Sequence, residues 1–280
     1  MRKINSSQIT ENVKEMCIEA NYYLSEDIEE GIKASFKKEK SPIGRQIIGQ
    51  LEENMTIAKE KKIPICQDTG MVVIFVEIGQ EVLIEGDLID DAIQEGVRKG
   101  YTEGYLRKSI VKDPLIRENT KDNTPAIIHY NMVKGDQIKL TVAPKGFGSE
   151  NTSKLAMLKP SDGIDEIKTF IINTVDELGA NACPPLVIGV GIGGNFEKVA
   201  YMAKKSLLRP INESSKLPHI KELEDELLIK INALGVGPQG LGGTTTALGV
   251  NIETFPTHIA GLPVAVNICC HVNRHITREI

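Results

Sequence analysis

At 280 residues the chain can bury a sizeable core without disulfide or metal staples, as one large domain or as two lobes. Hydrophobic residues make up 41% but aromatic residues only 4%, with no tryptophan, so the core has to be aliphatic. A net charge of -5 with acids and bases interspersed excludes a nucleic-acid partner, while a start without an apolar signal core and no run near the roughly 18 apolar residues of a membrane span exclude the bilayer and point to the cytoplasm.

Thr10 is placed to cap a helix on which Val13, Met16, Cys17, Ala20 and Leu24 recur at helical spacing, which makes Cys17 a core residue. A second helix opens after Ser25 with Ile28, Ile32 and Phe36 on one face. Ser41-Pro42 has the cap-then-proline order of a third helix, running through Ile47, Leu51 and Ile57. These lead into Cys66-Gln67-Asp68-Thr69-Gly70, where a thiol, a carboxamide, a carboxylate and a hydroxyl stand on a turn that feeds the apolar strand Met71 to Glu77. A strand from Glu81 to Ile84 and a helix from Leu88 to Gly100 come next.

The stretch Tyr105 to Ala126 is polar and loop-rich and holds Arg107 and Arg117. Ile127 to Val133 and Gln137 to Ala143, joined by Lys134-Gly135-Asp136, read as a hairpin. The glycines of Lys145 to Asn151 allow backbone amides to cradle an anion, or the stretch is an ordinary loop. A helix from Asp162 to Leu178 precedes Asn181-Ala182-Cys183-Pro184-Pro185 and the strand Leu186 to Val190. Gly189 to Gly194, followed by a helix from Phe196 to Leu208, superficially suggests a dinucleotide loop. The match is weak, because Leu208 to Leu217 is a proline-containing loop where the ribose-binding acid of such a fold is due. The helix Ile220 to Leu234, the glycine-rich Gly235 to Thr246, and strands Ala247 to Ile252 and Pro263 to Ile268 complete the pattern. No internal repeat or low-complexity linker interrupts it. Helices and strands mix without clean alternation, so the expected fold is mixed α/β, with mixed sheets packed by helices in two lobes, and not a regular Rossmann fold.

Five cysteines stand at 17, 66, 183, 269 and 270. An odd number, with two adjacent and long gaps between the others, does not make a disulfide framework, and thiols kept reduced are free to bind metal. No pair has the spacing of structural zinc, so a metal site has to be assembled from remote parts of the chain.

The ordered set CQDTG, LRKS, DPLIRENTKDNTPA, KGFGSEN, NACPP, GPQGLGGTTTA and THIAGLPVAVNICCH resembles the alpha subunit of two-subunit class I fumarate hydratases and L-tartrate dehydratases, iron-sulfur hydro-lyases, from about Gln46 to Arg278. The resemblance implies a four-iron four-sulfur cluster on three cysteines, with one iron open to substrate. These are Cys66, Cys183 and Cys270, the last chosen over Cys269 because the family ligand follows by three residues the asparagine that is Asn267 here. It implies substrate binding by Gln67, Arg107, Gly148 and His258, with Asp68 in a proton relay; as a bare histidine, His258 also reads as a satisfied core residue. Phe147 departs from the family's glycine run, and either narrows the pocket or turns into the core.

By the same resemblance, residues 1-280 form the cluster-binding alpha-type domain. The swivelling domain is expected on a separate beta subunit, in an assembly of two alpha and two beta chains acting on a small dicarboxylate. The implied activity is reversible hydration of fumarate to L-malate, with dehydration of L-tartrate as the alternative. A nucleotide-binding oxidoreductase and a non-catalytic cluster carrier are the readings from other classes.

Overall fold

The computed structural model describes residues Met1–Ile280. In chain order the elements are β1 (Arg2–Asn5), α1 (Ser6–Tyr22), α2 (Glu26–Lys38), α3 (Pro42–Lys61), β2 (Met71–Gly79), β3 (Val82–Glu85), α4 (Ile89–Glu103), β4 (Ile127–Val133) and β5 (Ile138–Lys145). They continue as α5 (Phe147–Glu150), β6 (Lys154–Leu158), α6 (Gly163–Leu178), β7 (Leu186–Gly193), α7 (Phe196–Ser206), α8 (Pro218–Ala233), β8 (Ala247–Phe255), β9 (Leu262–Cys269) and β10 (Ile276–Glu279). The fold is mixed α/β with mixed sheets, as the sequence leads one to expect. No helix is long and apolar enough to cross a membrane. The chain divides into two compact units, the first made of Met1–Ser25, Thr56–Phe147 and Arg274–Ile280, the second of Glu26–Met55 and Gly148–Asn273.

In the first unit, β2 holds an inner place because it is apolar on both faces: Val72, Ile74 and Val76 alternate with Val73 and Phe75, and all are buried. The strand order is β10-β5-β2-β4, with β4 parallel to β2 and β5 antiparallel to both β2 and β10. The hairpin expected from Ile127 to Ala143 is therefore not formed. Lys134 to Asp136 instead crosses the end of β2, where the amides of Gly79, Gln80 and Glu81 donate to the carbonyls of Gln137, Val133 and Gly135. The turn residues marked a reversal correctly, but the doubly apolar strand takes the place between the two arms.

One sheet face packs against α1 and α4, through Ile9, Val13, Met16 and Cys17 on α1 and Ile93, Val97 and Tyr101 on α4. Cys17 is core, as expected. The helix start is not. Asn5 caps α1 and forms a capping box with Gln8, which puts Thr10 inside the helix, its hydroxyl donating to the Ala92 carbonyl at 2.9 Å.

In the second unit the order is β6-β9-β7-β8, with β8 parallel and β9 antiparallel to β7. Ile188, Val190, Val264, Val266 and Ile268 bury one face against α6 and α8. On α2, Ile28, Ile32 and Ser35 are buried, while Phe36 turns outward. On α3 the apolar residues Ile48, Met55 and Ala58 are buried, whereas Ile47 and Leu51 are only half-buried and Ile57 is exposed. The expected apolar face is thus rotated by about one residue.

The glycines once compatible with a dinucleotide loop have another use. Gly189 and Gly191 lie within β7, where a Cβ would meet the carbonyl of Ala203 at 2.2 Å and that of Val199 at 2.3 Å. They let α7 lie directly on the strand.

Candidate active site

In the first unit the Cys66–Gly70 turn is held from several sides. Ile65 is buried and its amide donates to the Asn21 carbonyl at 2.9 Å, which fixes the approach from α3. The Thr69 hydroxyl accepts from the Arg107 amide at 2.9 Å and donates to the Arg107 carbonyl at 3.2 Å. The hydroxyl of buried Tyr101 points at the carbonyls of Thr69, 2.5 Å away, and Gly70, 3.1 Å away. Burial pushes the Tyr101 phenol far above its ordinary pKa, so it stays a neutral donor. Asn123, also buried, donates to the Gly70 carbonyl at 3.1 Å and accepts the Ser109 amide at 2.7 Å. The polar stretch from Tyr105 to Ala126 is thereby tied to the turn.

Within that frame the Asp68 carboxylate is aimed by two amides: Gly70 donates to Oδ1 at 2.9 Å and Phe147 to Oδ2 at 2.8 Å. Its backbone carbonyl accepts from Arg274 Nη2. Gln67 and Arg107 are exposed, and Cys66 and Asp68 are partly exposed. Phe147 is 47% exposed, so its ring does not turn into the core. Lys145 ends β5 and the following residues form α5, a single helical turn whose first amide, that of Phe147, is taken by the Asp68 carboxylate. Gly148 is exposed on that turn, in the second unit.

In the second unit the loop carrying Cys183 meets the segment after β9. Cys183 is exposed and takes the left-handed conformation, with φ 56°. The Pro184 carbonyl accepts both the amide and the side-chain Nε2 of Gln239, each at 2.9 Å. His271 Nδ1 lies 3.0 Å from the Cys183 carbonyl, and because a carbonyl only accepts, that nitrogen carries the proton and donates. Cys270, just past the end of β9, is partly exposed, while Cys269 closes the strand and is 3% exposed. Their opposite surroundings follow the alternation of an extended chain.

His258 is exposed, not a core residue, and its Nδ1 accepts the Ala260 amide at 3.1 Å, which leaves the hydrogen of the neutral ring on Nε2. None of the five cysteines is in a disulfide. Cys66 belongs to the first unit, Cys183 and Cys270 to the second, and no group of three His, Cys, Asp or Glu side chains stands close enough to hold a single metal ion.

Several residues of this framework escape a sequence reading. Glu39 is fully buried, and its carboxylate accepts the amides of Ser41 at 2.8 Å, Thr244 at 2.9 Å and Thr245 at 2.8 Å, pinning the glycine-rich loop. Nothing local marks it, since Thr244 lies 205 residues away. Gln239 and His271 fall inside conspicuous motifs, GPQGLGG and CCH, and could have been flagged on that ground.

Over 279 residues the chain is 43% identical to a Methanocaldococcus jannaschii protein named "Putative L(+)-tartrate dehydratase subunit alpha", covering 98% of each. It is 30% identical over 274 residues to the L(+)-tartrate dehydratase subunit alpha of Escherichia coli K12 and to that of Shigella sonnei, covering 97% of this chain and 90% of theirs. The family model described as fumarate hydratase (Fumerase) matches residues 10–279. The chain belongs to the fumarate hydratase (Fumerase) family.

Proposed function

We propose that this chain is the alpha subunit of an iron-sulfur hydro-lyase that adds water to, or removes it from, a small dicarboxylate, with fumarate and L-malate as the first pair. The observation that carries the reading is the partition of the cysteines: Cys17 and Cys269 are buried, whereas Cys66, Cys183 and Cys270 sit on loops or just past a strand end and reach the surface in part or whole. Three accessible thiols are a soft donor set suited to iron-sulfur ligation. When bound by these three, a four-iron four-sulfur cluster would supply a Lewis-acidic iron for the hydroxyl that leaves or arrives.

The chain's own groups supply the remainder. Asp68, held by two amides, keeps one orientation and serves as a proton relay, coupled to a base carried by a beta subunit. Arg107 has its backbone clamped by Thr69 and its side chain exposed, so the planar fork is free to take a carboxylate, and exposed Gln67 offers a carboxamide. His258 offers Nε2–H, and Gly148 a backbone amide, to substrate oxygens. Residues 1-280 then act as the cluster-binding domain, and the swivelling domain is a separate beta chain in an assembly of two of each. The subunit names of the relatives support that partner. The same names favour a second reading, dehydration of L-tartrate to oxaloacetate.

The test is co-expression with the beta chain, anaerobic reconstitution with iron and sulfide, and initial rates on fumarate, L-malate and L-tartrate. The proposal expects a cluster chromophore and water exchange on one of these pairs, with the alpha chain alone binding the cluster but turning over little. No rate on any of the three from a fully loaded pair would overturn it, and full turnover by the alpha chain alone would remove the partner.

A further inference from the structure

Arg274 is an arginine in an expensive place. It is only 4% exposed, and its guanidinium is answered by two neutral carbonyls, Asp68 through Nη2 and Pro144 through Nε at 3.3 Å. Nη1 is buried with no hydrogen-bond partner. No carboxylate lies within ion-pair distance. A buried guanidinium without an anion is costly and survives only where something of opposite charge offsets it. The groups that it touches say where that charge belongs. Asp68 is two residues after Cys66, and Pro144 is three residues before Phe147, whose amide holds the Asp68 carboxylate. Arg274 therefore ties the main chain of the Cys66–Gly70 turn to the end of β5, beneath the Asp68 side chain. Because Nη1 is closed to solvent, a diffusing ligand does not dock on it, and its charge acts through the low-dielectric interior.

We infer that Arg274 is the resident counter-charge of the site, a positioning residue that fixes the Cys66–Gly70 turn and offsets the net negative charge of a cluster held by three thiolates. The inference rests on the reading that Cys66, Cys183 and Cys270 hold the cluster. In that reading the core of a four-iron four-sulfur cluster carries two positive charges in its resting state and three thiolates bring three negative ones. The sum is one negative charge, opposite in sign to the guanidinium.

The test compares Arg274→Lys, which keeps the charge and loses the fork, with Arg274→Gln, which keeps a donor and loses the charge, in the full chain reconstituted anaerobically with iron and sulfide. Two quantities are read without turnover, the rate of iron loss to a chelator and the midpoint potential of the cluster. Arg274→Gln is expected to lose iron about tenfold faster or more, as when a residue that supports metal ligands is changed. Its potential moves negative, since removing a positive charge disfavours the reduced cluster. Arg274→Lys stays within about threefold of the parent, less than the loss of such a support costs, at an unchanged potential. Equal losses in both variants would assign Arg274 to hydrogen bonding alone and overturn the inference, as would a Gln variant that matches the parent. Should the Gln variant not fold, the Lys variant decides by itself: a tenfold loss or a shifted potential overturns the inference. A parent chain that takes up no iron and sulfide removes the cluster reading itself, and this inference with it, an outcome distinct from either variant result.

Discussion

Replacing Glu39 with alanine isolates how much the buried carboxylate holds in place. The substitution takes the acceptor from the amides of Ser41, Thr244 and Thr245, of which the Thr245 amide is buried and the other two are partly so. Relaxation is restricted, because Gly243, at φ +144°, lies so close that a Cβ there would stand 2.8 Å from Glu39 Oε1. At about 1 kcal/mol for each orphaned donor, the low end for buried groups, the loss is about 3 kcal/mol. Urea unfolding, followed with amide exchange at Thr244 and Thr245, measures it. A loss under about 1 kcal/mol with protection of those amides intact would refute the reasoning, since it would mean that the donors had other acceptors. The acid limb gives a second reading. Burial by itself would raise the Glu39 pKa, but the hydrogen bonds from Thr244, Ser41 and Thr245 outweigh it and hold the carboxyl below its ordinary 4.5. A group depressed on folding contributes stability that is present above the unfolded value and lost as pH falls through the folded one. Glu39→Gln should therefore flatten the stability curve below pH 4.5.

Changing Cys66, Cys183 or Cys270 to serine should abolish iron and sulfide binding, while Cys17→Ser should keep it and cost about 1 to 3 kcal/mol for a hydroxyl buried among apolar side chains; metal analysis and thermal melts separate the two outcomes. Tyr101→Phe removes the donor to the Thr69 and Gly70 carbonyls and should cost about 1 to 2 kcal/mol, with faster amide exchange in the Cys66–Gly70 turn as the local readout. Gly70→Ala meets both a backbone at φ +81° and the Lys145 amide nitrogen 2.7 Å from the new Cβ, so it should destabilise by about 2 kcal/mol or more and lower cluster uptake, seen by melting and by iron content.

Periodicity located most helices, because a buried stripe has to recur every three or four residues whatever the tertiary context. It was poorer at choosing the stripe: on α3 the sequence offers Ile47 and Ile48, and tertiary packing takes Ile48. The start of α1 was misplaced because Asn5 and Thr10 are both good caps and only the pairing of β1 with β3 brings the chain in at Asn5. The neighbours of β2 could not be read from the chain, since turn residues specify a reversal and not what lies between its arms. At the candidate site the cysteines, Asp68 and Arg107 stand in motifs and were visible as such. The residues that steady them were not: Glu39, Tyr101, Asn123 and Arg274 act across 31 to 206 residues of separation, and no local pattern encodes a hydrogen bond of that reach.

The sheet of the first unit borrows its edge strand from far downstream, since β10 pairs with β5 only after Gly148–Asn273 has been made. At the usual pace of translation that interval lasts on the order of ten seconds. Throughout it β5 leaves the ribosome with one row of amides and carbonyls uncovered, a template for any other extended chain nearby. Synthesis of this protein thus carries a built-in window for chaperone engagement, and slowing the ribosome anywhere between β5 and β10 should widen it.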